Sequence, residues 1–341
     1  MKIAQIAPVW ERVPPIKYGG TELIAYLLTE ELVRRGHDVT LFATGDSITS
    51  AKLESVYPKA PSRELLGHPV PDLLHVTVAY KRASGFDIIH NHAGYSGVAL
   101  ANFVSPPVLT TLHGIFTEIN IPFYRTFKNA VYYNSISEAQ RKVLPELNYI
   151  GTVYNAIDVL SFPFSEKKRD YYIYISRMSP LKAPHLAVEV ARRASIKLIM
   201  AGKIDPGKDM IYFEEKVKPY IDGDQIKFLG EITEDEKKEL LKYAKGFVFS
   251  LQWPEPFGLV MVEAMACGTP VIAFPFGSVP EVVVDKETGF IVNTLDEMVE
   301  AVRKVDQIDP LKCRRYVEGR FSVSRMVDDY ESLYRKMLSK K

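Results

Sequence analysis

Short apolar runs alternate with amphipathic stretches along most of the chain. Apolar runs of about four to eight residues are typical of buried strands, whereas apolar positions three and four apart are typical of helices. Predicted strands cover residues 2–7, 39–43, 86–90, 106–112, 130–136, 150–158, 171–175, 197–201, 225–229, 246–251 and 271–274. Predicted helices cover residues 20–35, 184–194, 211–221, 233–245, 258–266, 295–305 and 322–338, with weaker helical patterns at 62–66 and 71–82. This alternation predicts an α/β fold with parallel sheets.

The alternation is interrupted at residues 161–170, a proline-containing and charged segment that we interpret as a linker. A chain of 341 residues is also longer than most single domains. We therefore predict two Rossmann-like domains that face each other across a cleft. The N-terminal domain covers residues 1–162, and the C-terminal domain covers residues 163–322.

The most distinctive stretch is EPFGLVMVEAMACGTP at residues 255–270. Its predicted helix is almost entirely apolar, yet it carries Glu263 in its middle, where a carboxylate needs a partner. Glu255 lies just before the helix, whose free N–H groups and positive dipole end favour an anionic ligand. An internal salt bridge and ordinary capping are the structural alternative.

Other residues that could bind a ligand or take part in a reaction directly follow predicted strands. Because ligands of parallel sheets bind beyond the carboxyl ends of the strands, His113 and Gly202 are candidates for a site. Arg177 has a planar guanidinium group and Lys182 a compact ammonium group, and together they are a suitable pair for binding a diphosphate. Two surface cations on a loop remain the alternative.

A glycine pair, Gly19 and Gly20, stands at the start of the first predicted helix. Such a pair lets backbone amides approach a phosphate, although a tight turn explains it equally well. The spacing GxGxxG is absent, so a dinucleotide-binding fingerprint is not supported.

Two further motifs have simpler explanations. His90 and His92 suggest a metal or nuclease site, but no acidic or cysteine ligand stands nearby in the sequence, so loop histidines are favoured. Asp222 and Asp224 resemble a metal-binding Asp-x-Asp pair, but the intervening glycine favours a turn.

Composition narrows the classes of function. The formal net charge of +1 provides no basic field for nucleic acid. No apolar run reaches the roughly 20 residues of a membrane span, and the N-terminal apolar run is too short for a signal peptide. With only Cys267 and Cys313, neither a disulfide framework nor a zinc site is expected. The expectation is a soluble cytoplasmic protein, with peripheral membrane contact and oligomeric state left open.

Residues 255–270, taken with Ser176, Arg177 and Lys182, resemble family 4 of the retaining glycosyltransferases, which have the GT-B fold. Further blocks match in order: YGGTE at 18–22, DIIH at 87–90, TLHG at 111–114, FLG at 228–230 and GSVPE at 277–281. The resemblance covers almost the whole chain. Four small residues depart from the family pattern, namely Ser176, Ala183, Ser278 and Ala156, three of which stand where glycine is usual and one, Ser278, in place of the second glycine of a pair.

The resemblance implies a role for each candidate residue. Glu263 would bind the ribose hydroxyls of a donor nucleotide, and Glu255 would bind hydroxyls of the transferred sugar. Arg177 and Lys182 would neutralise the diphosphate, and His113 would position the sugar. The remaining implied donor-binding residues are Gly19, Gly20, Gly202, Ile232, Phe257, Gly258 and Leu259. The final helix, 323–341, is implied to pack back onto the N-terminal domain.

The implied activity is transfer of a hexosyl group from a nucleoside-diphosphate sugar to a hydroxyl acceptor, with retention and with no metal or other cofactor. The donor is expected to be a UDP- or GDP-sugar, and the acceptor a glycan, lipid or small molecule. A nucleotide-sugar epimerase of similar fold and an inactive nucleotide-sugar binding protein are the alternatives.

Overall fold

A computed structural model of the chain describes residues 1–16, 19–62, 65 and 67–340. The chain divides into two compact units, Met1–Ile157 with Val323–Lys341, and Asp158–Ser322, which we call unit 1 and unit 2. Each contains one sheet with exclusively parallel pairing. The predicted α/β fold with two parallel-sheet domains is thus confirmed. The division falls at residues 157/158, five residues before the predicted boundary at 162/163.

Unit 1 contains a seven-stranded sheet in the order β3-β2-β1-β4-β5-β6-β7. Its strands are β1 (Lys2–Ile6), β2 (Asp38–Phe42), β3 (Lys52–Glu54), β4 (Ile88–Asn91), β5 (Val108–Leu112), β6 (Tyr132–Ser135) and β7 (Tyr149–Thr152). Its helices are α1 (Gly20–Arg34), α2 (Pro69–Lys81), α3 (Tyr95–Ala99), α4 (Ile121–Thr126), α5 (Glu138–Val143) and, at the end of the chain, α13 (Val323–Leu338). The edge strand β3 and the short helices α3 and α4 are absent from the sequence prediction. Part of the weak helical pattern at 62–66 lies outside the described residues.

Unit 2 contains a six-stranded sheet in the order β10-β9-β8-β11-β12-β13. Its strands are β8 (Tyr172–Ile175), β9 (Leu198–Ala201), β10 (Ile226–Phe228), β11 (Gly246–Phe249), β12 (Val271–Ala273) and β13 (Gly289–Ile291). Its helices are α6 (Pro184–Ala194), α7 (Lys208–Lys216), α8 (Glu234–Tyr243), α9 (Leu259–Ala266), α10 (Val279–Val282), α11 (Leu295–Arg303) and α12 (Pro310–Arg320). One core joins inward residues of α6, α7 and α11 to the sheet residues Tyr174, Met200, Val248 and Ile272.

The segment predicted as a linker lies within unit 2, where one of its side chains is held by hydrogen bonds. The Lys168 ammonium donates to the carbonyl oxygens of Lys242 (2.9 Å) and Cys267 (3.0 Å) and to the Thr269 hydroxyl (3.0 Å). Burial lowers the pKa of Lys168 to about 8. Residues 161–170 thus fall after the division at 157/158, and Lys168 can be partly buried there because its charge finds several acceptors.

The C-terminal helix α13 packs against α1 and the unit 1 sheet. On the exposed side of α13, Asp328 accepts a hydrogen bond from Arg35 (2.6 Å), and Glu331 contacts His37 (2.9 Å). At its inner side, Tyr330 and Tyr334 are fully buried. The last helical turns of the chain therefore complete the unit formed by the first 157 residues.

Two of the expectations from composition concern membrane-spanning helices and the two cysteines. Among the residues that the structure describes, no helix combines the length and apolar character that crossing a bilayer requires. Cys267 and Cys313 are both buried free thiols.

Gly202 carries a backbone constraint that joins two strand ends. Its φ is 151°, and a Cβ at this position would lie 1.8 Å from the backbone oxygen of Ser176. Its amide donates to the carbonyl oxygen of Gly230 at 2.8 Å. The loops that follow β8, β9 and β10 can approach this closely because residue 202 lacks a side chain.

We therefore expect Gly202→Ala to lower the free energy of unfolding by at least about 3 kcal/mol, because backbone atoms must move apart. Gly223→Ala is the matched control, since Gly223 also has a positive φ (78°) but would have open space around its Cβ. Its expected cost is about 1–2 kcal/mol of backbone strain. Urea unfolding of both variants measures the difference, and equal losses would contradict the close-approach argument.

Candidate functional site

The ends of the central strands of unit 2 are joined by backbone hydrogen bonds. The Ser176 amide donates to the Ala201 carbonyl oxygen at 3.2 Å, and the Gln252 amide donates to the Leu181 carbonyl oxygen at 3.2 Å. The loops after β8, β9 and β11 are consequently fixed relative to one another. Most predicted site residues of unit 2 lie on these loops or on the segment that leads into α9.

Lys182, Glu255 and Trp253 form a compact group at these strand ends. The Lys182 ammonium makes a short contact with Glu255 Oε2, and Trp253 Nε1 donates to the same oxygen at 3.2 Å. The ammonium also lies 5.2 Å from the centroid of the Trp253 ring. The side chains of Lys182 and Glu255 are only 17% and 15% exposed, so each charge depends on the other.

The backbone around Lys182 is held in an unusual conformation. Tyr174 donates its hydroxyl proton to the Lys182 carbonyl oxygen at 2.8 Å, and the Ser250 hydroxyl donates to the Ala183 carbonyl oxygen at 3.0 Å. Ala183 has φ 48° and ψ 48°, in the left-handed region that favours glycine. This conformation accounts for the glycine that the family pattern has at this position.

Glu255 is positioned by the segment after β12. A Cβ on Gly277 would lie 2.3 Å from the Glu255 carbonyl oxygen, so only glycine allows this approach. The Ser278 amide donates to that same oxygen at 2.9 Å, and the Ser278 hydroxyl donates to the Phe257 carbonyl oxygen at 2.8 Å. Ser278, a departure from the family pattern, thus contributes a hydrogen bond that glycine could not.

The N-terminus of α9 follows this segment. Gly258 is its N-cap, with φ 78°, and no side chain caps the helix. The Met261 amide donates to the Gly258 carbonyl oxygen at 3.0 Å, whereas the first two amides of the helix, at Leu259 and Val260, retain capacity to donate to a ligand. Phe257 is buried beside Phe321, with ring centroids 5.7 Å apart.

Glu263 has a cationic partner that the sequence analysis did not identify. Lys237 of α8 lies 2.8 Å from Glu263 and 2.8 Å from Glu234. Burial opposes the charge on Lys237, but attraction by Glu263 and Glu234 outweighs it and raises the pKa of the ammonium. The internal salt bridge, named above as the structural alternative, is therefore present, and a ribose is not needed to provide a first partner for Glu263.

Arg177 contacts acidic residues after β9. Its guanidinium lies 3.3 Å from Asp205 and 3.7 Å from Asp209, and its side chain is 47% exposed. Within the part of the chain that the structure describes, no hydrogen bond or ion pair joins Arg177 to Lys182. Gly202 and Ile232 lie in the neighbouring loops after β9 and β10.

Gly19 and Gly20 lie in unit 1, at the start of α1, and residues 17 and 18 lie outside the described residues. Gly19 has φ 159°, and a Cβ added at this position would lie 2.8 Å from Pro15 and 3.0 Å from Glu22. Burial raises the pKa of Glu22 from its usual 4.5 to about 7, with a further contribution from the charge of Glu11. Glu22 is thus a second buried carboxyl at a helix start, which the sequence analysis did not single out.

His113 follows β5 in unit 1 and contacts a second histidine. Its Nε2 lies 2.9 Å from Nδ1 of His92, which the sequence analysis interpreted as an ordinary loop residue. Burial lowers the pKa of His113 to about 4 and that of His92 well below its usual value. Both imidazoles are therefore neutral near pH 7.

The two candidate metal motifs behave as turns and packed side chains. The Asp222 carboxylate accepts from the amides of Asp224 (2.9 Å) and Ile226 (3.0 Å), which confirms the turn interpretation. In the described parts of the chain, no group of three or more His, Cys, Asp or Glu side chains could hold a metal ion.

Two family models match adjacent parts of the chain. The model "Glycosyltransferase Family 4" matches residues 18–159, and the model "Glycosyl transferases group 1" matches residues 159–318. The N-acetyl-alpha-D-glucosaminyl L-malate synthase of Bacillus anthracis is 25% identical over 93% of this chain and 93% of its own length.

Solved structures share the fold. The sucrose-phosphate synthase of Thermosynechococcus elongatus matches with a TM-score of 0.83 and 21% identity, with full coverage of both chains. Anabaena HepE, solved in complex with UDP and glucose, matches with a TM-score of 0.76 and 19% identity over 98% of this chain and 100% of its own. At these identities the matches establish the architecture alone.

Removal of Lys237 tests whether its ion pair with Glu263 is structural. We expect Lys237→Met to lower the free energy of unfolding by about 3–5 kcal/mol, because it leaves a buried carboxylate without a cation. The double variant Lys237→Met/Glu263→Gln should recover most of this loss, which urea unfolding measures. A double variant as unstable as the single one would contradict the pairing.

The raised pKa of Glu22 leads us to expect that the stability of the protein depends on pH. Because its folded pKa (about 7) exceeds its unfolded value (4.5), the folded state binds more protons between these values, and Glu22 makes stability fall as pH rises through this window. Glu22→Gln should leave stability unchanged near pH 4 and raise it at pH 8 by up to about 3 kcal/mol. Denaturant titrations at both pH values measure this, and an equal effect at both would show that the carboxyl is not desolvated.

Proposed function

Because this chain belongs to the group 1 glycosyltransferases with the GT-B fold, we propose that it transfers a hexosyl group from a nucleoside-diphosphate sugar to a hydroxyl acceptor, with retention and without a metal. The observation that carries this proposal is the group of Lys182, Glu255 and Trp253 at the strand ends of unit 2, next to the uncapped start of α9. A UDP-sugar is the favoured donor class, because Anabaena HepE of the same fold was solved with UDP and with UDP-glucose.

Lys182 supplies the positive charge that a diphosphate leaving group requires. In the protein without ligand, that charge is used by Glu255. A bound diphosphate would attract the ammonium and release the carboxylate, which would then accept hydrogen bonds from sugar hydroxyls. The stabilisation grows as negative charge develops on the leaving phosphate, which is the condition for catalysis.

The amides at the start of α9 complement this charge. Phe257, Gly258 and Leu259 would meet the sugar and the distal phosphate, where the helix dipole favours an anion. Glu263 would bind ribose hydroxyls while its second interaction, with Lys237, persists. Arg177 would leave Asp205 to reach the diphosphate, and Gly202 and Ile232 would line the nucleobase.

In unit 1, the backbone of Gly19 and Gly20 would donate to the phosphates, and His113 would position the sugar. Because Lys182 and Arg177 can neutralise a diphosphate, no metal is required in this mechanism. The leaving phosphate would act as the base for the acceptor hydroxyl.

An acceptor-dependent release of nucleoside diphosphate tests the proposed reaction. A thermal-shift screen with UDP-, GDP-, ADP- and dTDP-sugars identifies the donor first, because a ligand of the folded state raises the melting temperature. Coupled assays with and without EDTA then measure nucleoside diphosphate release. Epimerised donor without release would favour the epimerase, and stabilisation without any turnover would favour the binding protein.

Lys182→Ala should lower turnover by about 10²–10³-fold, because one preorganised charge on the leaving group is lost. Lys218→Ala is the matched control, since Lys218 forms an exposed ion pair with Glu214 on the surface of unit 2. Its turnover should equal that of the unmodified protein. An unchanged rate in Lys182→Ala, with the fold intact by circular dichroism, would remove Lys182 from the mechanism.

A further inference from the structure

A row of buried polar side chains crosses the unit 1 sheet beneath α13. It consists of Gln5 of β1, His90 of β4, Thr111 of β5 and Asn134 of β6, each of which is at most 3% exposed. Strands of a parallel sheet covered on both faces are normally apolar. These four polar residues therefore require an explanation beyond packing.

The row is connected to His113 at one end. His113 Nε2 contacts His92 Nδ1 at 2.9 Å, and His92 Nε2 contacts Gln5 Oε1 at 3.0 Å. The Gln5 amide group then donates to the Tyr334 hydroxyl oxygen at 3.1 Å. The path thus runs from a partly buried histidine at a strand end to the C-terminal helix.

From Tyr334 the path continues across the sheet. The Tyr334 hydroxyl contacts His90 Nδ1 at 2.7 Å, and His90 Nε2 contacts the Thr111 hydroxyl at 2.7 Å. Thr111 donates to Asn134 Oδ1 at 2.6 Å. Every neighbouring pair in the path is therefore within hydrogen-bond distance.

A backbone carbonyl fixes the direction of the whole path. Asn134 Nδ2 donates to the Ser135 carbonyl oxygen at 3.3 Å and to the Tyr330 hydroxyl at 3.4 Å. Because a carbonyl oxygen only accepts, the amide oxygen of Asn134 must face Thr111 and accept its proton. The Thr111 proton is then used, and His90 must donate to Thr111 from Nε2.

The hydrogen-bond directions between His90 and His113 are fixed in turn. Neutral His90 has no second proton, so its Nδ1 accepts from Tyr334, and Tyr334 must accept from the Gln5 amide. The Gln5 oxygen therefore faces His92, which donates from Nε2 and keeps Nδ1 bare. His113 must consequently donate from Nε2, and its Nδ1 carries no proton.

The neutral state that this reasoning needs agrees with the burial of the imidazoles. Burial lowers the pKa of His113 to about 4 and places those of His90 and His92 well below the usual range. Among the described residues, none hydrogen-bonds His113 Nδ1. That nitrogen is therefore an unused acceptor at the carboxyl end of β5.

We propose that His92, Gln5 and Tyr334 are positioning residues that hold His113 as its neutral Nε2–H tautomer, so that Nδ1 accepts a hydrogen bond from a hydroxyl of the bound sugar. The tautomer follows from the contacts of unit 1, whereas the sugar as its partner rests on the proposed function. An acceptor-only nitrogen selects a group that can donate, and it leaves the oxygen of that hydroxyl free for other donors.

Two tyrosines of α13 provide a matched pair of variants. Tyr334→Phe removes the hydroxyl that keeps the Gln5 amide group in place, so the amide rotates to satisfy its N–H groups at His92 and the tautomers of both histidines reverse. Tyr330→Phe removes an equally buried hydroxyl from the same helix, but Tyr330 is a side branch whose hydroxyl oxygen lies 3.2 Å from that of Thr111. Its loss leaves the direction of the path unchanged.

The experiment is ¹⁵N NMR of the full-length protein labelled at histidine, without substrate, with the His113 signals assigned from a His113→Ala spectrum. The unmodified protein and Tyr330→Phe should show His113 with protonated Nε2 and unprotonated Nδ1. Tyr334→Phe should show a population with the opposite assignment. Its turnover, with the nucleotide sugar that stabilises the protein, should fall by the factor by which the Nε2–H population falls.

The possible results separate the positioning role, the hydrogen bond to substrate and the proposed function. A His113 Nδ1–H tautomer in the unmodified protein, or equal effects of the two tyrosine variants, would overturn the positioning role. A turnover in Tyr334→Phe that does not follow the tautomer population would overturn the assigned hydrogen bond to substrate. The expected spectra with no turnover on any nucleotide sugar would leave the tautomer established and contradict the proposed function instead.

Discussion

A charge that is removed from water must find an opposite charge or several hydrogen-bond donors. This requirement governs the strand ends of unit 2, where Glu263 is paired with Lys237 and Glu255 with Lys182. Each pair holds its carboxylate in a defined position before a ligand arrives. Preorganisation of this kind reduces the reorganisation that binding or catalysis would otherwise require. The glycines at 202 and 277 also contribute to this preorganisation, because they let the backbone segments that carry these charges approach one another.

The pairing also restricts which ligands fit. A ligand that attracted Lys182 without supplying donors to Glu255 would leave a partly buried carboxylate uncompensated. A nucleoside-diphosphate sugar carries both a dianionic group and hydroxyl donors, so it can exchange partners with both side chains together. An inorganic phosphate carries less donor capacity and should therefore compete poorly with the internal ion pair. The proposed donor class thus agrees with the electrostatics of the ligand-free protein.

The sequence predicted the features that are encoded locally and missed those that arise from contacts between distant residues. The alternation of apolar and amphipathic stretches was sufficient for the α/β class and for elements such as β8, α9 and α13. The edge strands β3 and β13 were missed because β3 (Lys52–Glu54) has one apolar residue between two charged ones and β13 (Gly289–Ile291) begins with glycine. The contacts of Lys168 could not be predicted, because its acceptors lie far along the chain. Lys237 and His92 look like ordinary surface or loop residues in the sequence. Their partners, Glu263 and His113, lie 26 and 21 positions away.

We expect the two units to respond differently to substitution, for a physical reason. An ion pair such as Lys237–Glu263 is compensated locally, so replacing both partners with neutral groups restores stability without affecting residues beyond them. A directed hydrogen-bond path has no such local compensation, because each hydroxyl and neutral imidazole has one proton and must donate to one neighbour while accepting from the other. A reversal at Tyr334 therefore propagates through Gln5 and His92 to His113. A substitution on the last helix that removes a single oxygen atom can thus change the hydrogen-bonding character of a strand-end residue more than 200 positions earlier in the chain.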